Sequence, residues 1–243
     1  MWWLTALKRD GYAVVPDVAG QPVVADLVRA LEAVRPGAAA LDRGGGVYAM
    51  RNLLRDVPES RRLAESRAIR ALVEPVLGPN LFAVRGLFFD KTAESNWLVP
   101  WHQDLTIAVR ARTAAAGYGP WTVKAGVPHV QPPASVLEQM LTVRVQLDDG
   151  DAANGPLRVI PGSHSQGKLG AEAARAWLER TAPVTCVVPR GGALLMKPLL
   201  LHASSPSDAP GHRRVVHLEF AAGPLPGGVV WYEQTRVENE DVA

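Results

Sequence analysis

Two hydrophobic periods divide this chain near residue 80. Before that point Val24, Leu27, Leu31 and Val34 recur at helical spacing until Pro36-Gly37 stops the run. A second helix is predicted from about Glu59. Ile69, Leu72, Val73 and Val76 form its apolar stripe, and Gly78 stands where a left-handed C-terminal residue is expected. Beyond Gly78 the period shortens. Apolar or alternating runs at 81–91, 141–147, 157–160, 184–188, 193–196 and 213–220 read as strands. Turn signals separate them at Asn154-Gly155-Pro156, Pro161-Gly162-Ser163, Arg190-Gly191-Gly192 and from Ser205-Pro206 to Pro210-Gly211. Many short strands joined by Gly/Pro turns predict a mainly β sandwich or barrel with flanking helices. Good helix formers at 171–178 predict one helix among the strands. The Gly, Pro and scattered aromatics of 106–133 read as a long loop, a kind of segment that often serves as a lid.

No linker long enough to split the chain is visible, so residues 1–243 are expected to form one domain. Its helical support would occupy 1–80, its β core 81–235, and its loop insertion about 106–135. With 47% hydrophobic and 21% charged residues the chain can bury a large core. The formal charge of +2 has no clustered runs behind it, which argues against nucleic acid as a partner. No apolar run reaches the roughly 20 residues of a membrane span. Residues 1–7 are apolar with Lys8-Arg9 after them, the reverse of a secretory signal, so a cytoplasmic location is expected. The single Cys186 excludes an internal disulfide and sits among strand-like apolar neighbours, which predicts a buried, inert thiol.

The chemistry enters at His102-Gln103-Asp104. In an extended backbone the two-residue period puts His102 and Asp104 on one face and Gln103 on the other. His202 follows 98 residues after Asp104, and Arg213 lies 11 positions further on. Two imidazoles and a carboxylate hold a divalent metal while leaving positions open for chemistry, as in non-haem Fe(II) oxygenases. Arg144 and Gln146 alternate with Val143, Val145 and Leu147, so they put a polar face into an otherwise apolar strand. Arg213 and Arg214 face opposite ways if extended, so only one can enter a site.

Four pieces occur in order: Trp101-His102-Gln103-Asp104; Leu147-Asp148-Asp149 with Asn154-Gly155-Pro156-Leu157; Pro161-Gly162-Ser163-His164; and His202 with Ser204 and Arg213. In these the chain resembles the phytanoyl-CoA dioxygenase family of Fe(II)/2-oxoglutarate oxygenases. The resemblance implies a double-stranded β-helix, the jelly-roll or cupin-like barrel, with an N-terminal helical region. It implies His102, Asp104 and His202 as catalytic metal ligands for Fe(II), and 2-oxoglutarate and O2 as cosubstrates. Arg213 would clamp the distal carboxylate of 2-oxoglutarate and Ser204 would share it. Arg144 would stand against the cosubstrate, although it is a charge where an aromatic can occur, and Lys91 at the end of its strand is a further candidate. His164 is read as structural, and Trp97, Trp101 and Trp121 as candidate walls of the pocket. The expected reaction is hydroxylation of a small molecule by a monomer or homodimer. Two other readings stay open: a non-catalytic small-molecule binder or sensor, and a zinc hydrolase on the same scaffold.

Overall fold

The computed structural model describes residues 1–37, 39–43, 46–208 and 211–236. The chain starts with α1 (Trp2–Asp10), which buries Trp3 and Leu7 and ends on Gly11 in the left-handed region, φ 83°. Glycine is required there both for that φ and because an added Cβ would strike the His164 ring. β1 (Tyr12–Val15) and α2 (Gln21–Glu32) follow; α2 buries Val24, Leu27 and Leu31 as the periodicity predicted. The hairpin of β2 (Ala40–Arg43) and β3 (Gly46–Met50) leads to α3 (Leu53–Asp56), α4 (Pro58–Glu65) and α5 (Arg67–Leu77).

The helix expected from Glu59 is therefore two. It breaks at Ser66, which has extended dihedrals and accepts a hydrogen bond from the Ile69 amide at 3.3 Å, the geometry of an N-cap. The first 80 residues are also less helical than expected, because β1, β2 and β3 join the main sheet.

β4 (Leu81–Lys91) and β5 (Val99–His102) lead to β6 (Ile107–Ala108), β7 (Trp121–Lys124) and β8 (Val127–Val130). These last three form a small antiparallel sheet in the segment expected to be a loop. The β7–β8 turn is Ala125-Gly126 with φ 50° and 76°. Both residues have the positive φ of the tight turn that favours Asn-Gly, so an alanine hides the hairpin from sequence, and Pro128 inside β8 hides it further.

After α6 (Ala134–Glu138) come β9 (Leu141–Gln146) and β10 (Leu157–Val159). α7 (Ala171–Arg180), β11 (Val184–Cys186), β12 (Ala193–Met196), β13 (His202–Ser204), β14 (Arg213–Ala222) and β15 (Thr235–Arg236) complete the order. All strand pairings among the described residues are antiparallel. The main sheet runs β1-β12-β9-β14-β4-β3-β2, with β15 on β4, and a second sheet runs β11-β10-β13-β5. This is the jelly-roll, cupin-like architecture, mainly β with seven helices among the described residues.

The two faces of the main sheet differ in chemistry. Leu141, Val143, Val145 and Leu147 of the β9 segment and Val216, Leu218 and Phe220 of β14 pack with Leu27, Leu54, Ile69 and Val73 of the helices. Burial of this layer stabilises the fold by about 25 cal/mol per Å² of apolar surface removed from water. The alternate residues, Thr142, Arg144 and Gln146 of β9 and Arg213, Val215, His217 and Glu219 of β14, turn the other way, toward the barrel interior. That polar face receives the metal motif from the smaller sheet.

Candidate metal centre

β5 and β13 are antiparallel neighbours with His102 directly opposite His202. The pairing sets the imidazole centroids 4.2 Å apart. Each ring is oriented from its own backbone: His102 Nδ1 lies 2.8 Å from the Pro100 carbonyl and His202 Nδ1 2.8 Å from that of Leu200. A ring nitrogen that donates to a carbonyl fixes the tautomer and leaves Nε2 with a free lone pair. Asp104 follows two residues after His102, its amide anchored to the Pro198 carbonyl at 2.9 Å. Its Oδ1 lies 3.8 Å from His102 Nε2 and its Oδ2 3.7 Å from His202 Nε2.

The three donor atoms lie within 4.8 Å of one another, close enough for one ion. Burial pushes His202 down to about 4, so at neutral pH the ring is the uncharged form that ligates. Burial alone would raise Asp104, but His202, His217, His102 and Arg85 outweigh it and hold the carboxyl down to about 2. Asp104 Oδ2 is nevertheless buried with no hydrogen-bond donor. An orphaned carboxylate oxygen facing the His202 ring nitrogen, with the second carboxylate oxygen facing that of His102, is the environment a divalent cation completes.

Gln103, on the opposite face, fastens this arrangement. Its Nε2 donates to the Gly167 and Leu199 carbonyls at 2.9 and 2.6 Å, and its Oε1 accepts from the Leu169 amide at 2.8 Å. The sequence places Gln103 away from the metal, and the structure gives it this anchoring task.

Beyond the cluster a cavity between the sheets is lined by Arg144, Gln146, Asn154, Leu157, Leu194 and Arg213, among others. Lys91 sits opposite Arg213 across the β4–β14 ladder. Its ammonium donates to Ser204 Oγ at 2.9 Å and to the Ser205 carbonyl. The Asn154-Gly155 turn closes over it: at Gly155, φ 68°, a Cβ would lie 2.7 Å from the Ser205 carbonyl oxygen and 3.2 Å from Lys91 Nζ. Lys91 thus lies beside Ser204 and Arg213, and Arg144 and Arg213 line one cavity. Arg214 points out, forming paired hydrogen bonds with Asp148 and a third with Glu32.

Among the described residues no ion pair is formed by Lys91, Arg144 or Arg213. Burial, then Arg213 and Arg144, push Lys91 down to about 7. Burial and Arg144 lower Arg213 to about 10 against the partial help of Asp90, and Arg213 Nε has no partner. Buried cations without a carboxylate are unstable unless an anion joins them.

A polar chain that the sequence reading missed runs along the interior face. Arg144 Nη1 donates to His217 Nδ1 at 2.8 Å, His217 Nε2 lies 3.2 Å from Glu219, and Glu219 pairs with Arg85 of β4. The alternation of Arg213, Val215, His217 and Glu219 carried the signal, because polar residues at every second position of a buried strand need partners. His164 lies in a turn against Gly11, outside the metal cluster. Cys186 is buried and its thiol is pushed up to about 12. No described helix is long and apolar enough to cross a membrane.

The family described as phytanoyl-CoA dioxygenase matches residues 7–215 of this chain. Among solved structures, EctD from S. alaskensis with bound Fe is 21% identical, with a TM-score of 0.70 over 91% of this chain and 76% of that one. SnoN, a non-haem α-ketoglutarate-dependent epimerase from nogalamycin biosynthesis, is 20% identical with a TM-score of 0.70 over 93% and 83% of the two chains. AviO1 from Streptomyces viridochromogenes Tue57 is 21% identical with a TM-score of 0.66 over 93% and 97%. No curated protein matches. The structural likenesses concern the fold.

Proposed function

Because this chain belongs to the phytanoyl-CoA dioxygenase family, we propose that it is a dioxygenase that hydroxylates a C–H bond of a small molecule and releases succinate and CO2. The family's chemistry is that of non-haem enzymes dependent on Fe(II) and 2-oxoglutarate, and the His102, Asp104 and His202 donor set suits that metal. When bound, Fe(II) with 2-oxoglutarate and O2 supplies the oxidising power for the C–H bond, through oxidative decarboxylation of the 2-oxoacid.

The protein's part is holding and orienting. His102, Asp104 and His202 ligate through the two Nε2 atoms and the carboxylate. Arg213 takes the distal carboxylate of 2-oxoglutarate with its planar fork of donors, and Lys91 adds charge while orienting Ser204. Arg144, steered by His217, faces the same cavity. Leu157, Leu194 and Val215 give that cavity apolar walls, which keep water out and strengthen every charge interaction inside.

The observation that carries the reading is the pocket of buried cations without a carboxylate, beside a metal donor set. A dianionic 2-oxoacid answers both. A zinc hydrolase leaves the cations unexplained. The reading is tested by following succinate production under ¹⁸O2 with candidate small molecules. The expected result is substrate-stimulated succinate together with a product that gains one labelled oxygen. Succinate with an unlabelled, isomerised product would replace hydroxylation with another outcome on the same site.

A further inference from the structure

We propose that the substrate carries a carboxylate, held by Arg51 and Lys124 at the end of the Arg144–His217–Glu219–Arg85 chain remote from the cosubstrate pocket. The inference rests on the oxygenase reading and names the substrate class for that site.

The backbone places both cations. Met50, the last residue of β3, pairs with Phe88 of β4, and both side chains pack into the helix-side core. Arg51 is the next residue, so strand alternation turns it toward the face that carries Leu87 and Arg85. Lys124 ends β7, and its ammonium donates to Thr106 Oγ1 at 3.4 Å. Thr106 lies two residues after Asp104, so the ammonium is tied to the segment that carries the metal ligands.

Neither cation has an ion-pair partner among the described residues. The carboxylates within electrostatic reach of Lys124 are Asp104 and Glu219. Asp104 faces the two histidines, and Glu219 is taken by Arg85 and His217. Arg85 is itself buried, with Nε unpartnered. Arg51 and Lys124 are each disfavoured first by partial burial and next by the Arg85 charge. His129 of β8, buried nearby, is held uncharged by burial and the same cations and has its Nδ1 3.0 Å from the Val127 carbonyl, so it adds no further charge. Three neighbouring cations share one internal carboxylate. Both Arg51 and Lys124 remain half-buried, so a molecule entering from solvent can reach them. An anionic oxygen between them relieves the repulsion and leaves the rest of that molecule beside the metal ligands.

The test measures binding without turnover. Protein charged with Fe(II) and 2-oxoglutarate under anaerobic conditions is titrated with hexanoate, benzoate, 3-phenylpropionate and indole-3-acetate, and with the primary amide of each. Binding is read by ligand-observed magnetic resonance. The proposal expects acids to bind at least about tenfold more tightly than their amides, the effect of one charge-assisted hydrogen bond. That preference should vanish in Arg51→Gln and in Lys124→Gln and survive in Lys124→Arg, with 2-oxoglutarate affinity unchanged in all three. Amides that match acids, or acids that fail to bind at all, overturn it. A parallel fall of 2-oxoglutarate affinity in Lys124→Gln also overturns it, because the cations then serve the cosubstrate. Failure of 2-oxoglutarate to bind the unsubstituted protein is a separate result that removes the oxygenase reading itself.

Discussion

Arg213→Met replaces a buried guanidinium by an apolar side chain of similar length, and its consequences for the free and the cosubstrate-bound protein have opposite signs. In the free protein Arg213 is 5% exposed, its Nε lacks a partner, and burial with the Arg144 charge lowers it from 12.5 to about 10. At about 1.4 kcal/mol per pKa unit, that shift corresponds to roughly 3 kcal/mol of unfavourable environment for the charged form. Methionine removes this penalty and keeps most of the packing. The free variant should therefore melt no lower than the original and up to about 10 °C higher, since 1 kcal/mol moves a chain of this size by about 2–4 °C. With 2-oxoglutarate present the order reverses. Losing one partner of a buried carboxylate pair costs about 2–5 kcal/mol, or about 30-fold to several thousandfold in affinity. Thermal melts with and without 2-oxoglutarate and Mn(II), backed by calorimetry, measure both halves. A free variant that melts well below the original while binding 2-oxoglutarate normally would refute the reasoning and make Arg213 a structural residue.

Arg214→Ala, which breaks the outward pairs with Asp148 and Glu32, should cost roughly 1–3 kcal/mol of stability and leave 2-oxoglutarate affinity unchanged, as denaturant melts and calorimetry will show. Lys91 sets a pH dependence. The folded protein gives up its proton near pH 7 while the unfolded chain keeps it to about 10.5, so the unfolded state binds more protons in that window and stability from this group rises with pH across it. Cosubstrate binding needs the charged form, so 2-oxoglutarate affinity should fall above about pH 7, by at most tenfold per pH unit, and Lys91→Gln should flatten the profile in calorimetric titrations. Gln103→Ala strips three hydrogen bonds from the segment between the metal ligands; Fe(II) affinity should drop about 10–100-fold in a competition assay with a chelator, with the fold retained by circular dichroism. Cys186, buried and raised to about 12, should resist iodoacetamide at pH 8 until denaturant is added, as mass spectrometry reads directly.

What the sequence made legible follows from the length scale of each signal. His102 and Asp104 share a face because of a two-residue period, and that rule needs no knowledge of the rest of the fold. The strands β9 and β14 show the same period, and Arg144 and Gln146 do turn inward as their alternation indicates. The β7–β8 hairpin was hidden because an Ala-Gly turn occupies a conformation usually marked by Asn-Gly. β1 and β3 were hidden because they are short and acquire their identity by pairing with β12 and β4, far away in sequence, and β2 because it is a short edge strand held, among the described residues, only by β3. The break at Ser66 was readable as a capping serine three residues before the stripe that begins at Ile69, but the residues from Glu59 onward are good helix formers and read as the same helix. The Arg85–Glu219 pair was out of reach for a further reason: Arg85 stands alone in the Leu, Phe and Val of the first half of its strand, and its partner is 134 residues on. Its meaning appears only when the register of β4 on β14 brings the two side chains together.

The most direct test of the account is succinate formation. Protein purified without air is given Fe(II), 2-oxoglutarate and O2, beside a His102→Ala control at the same concentration. The account predicts succinate from the unsubstituted protein, increased by a true substrate and abolished in the variant. Absence of succinate from the unsubstituted protein across a substrate screen, or equal succinate from both proteins, would contradict it.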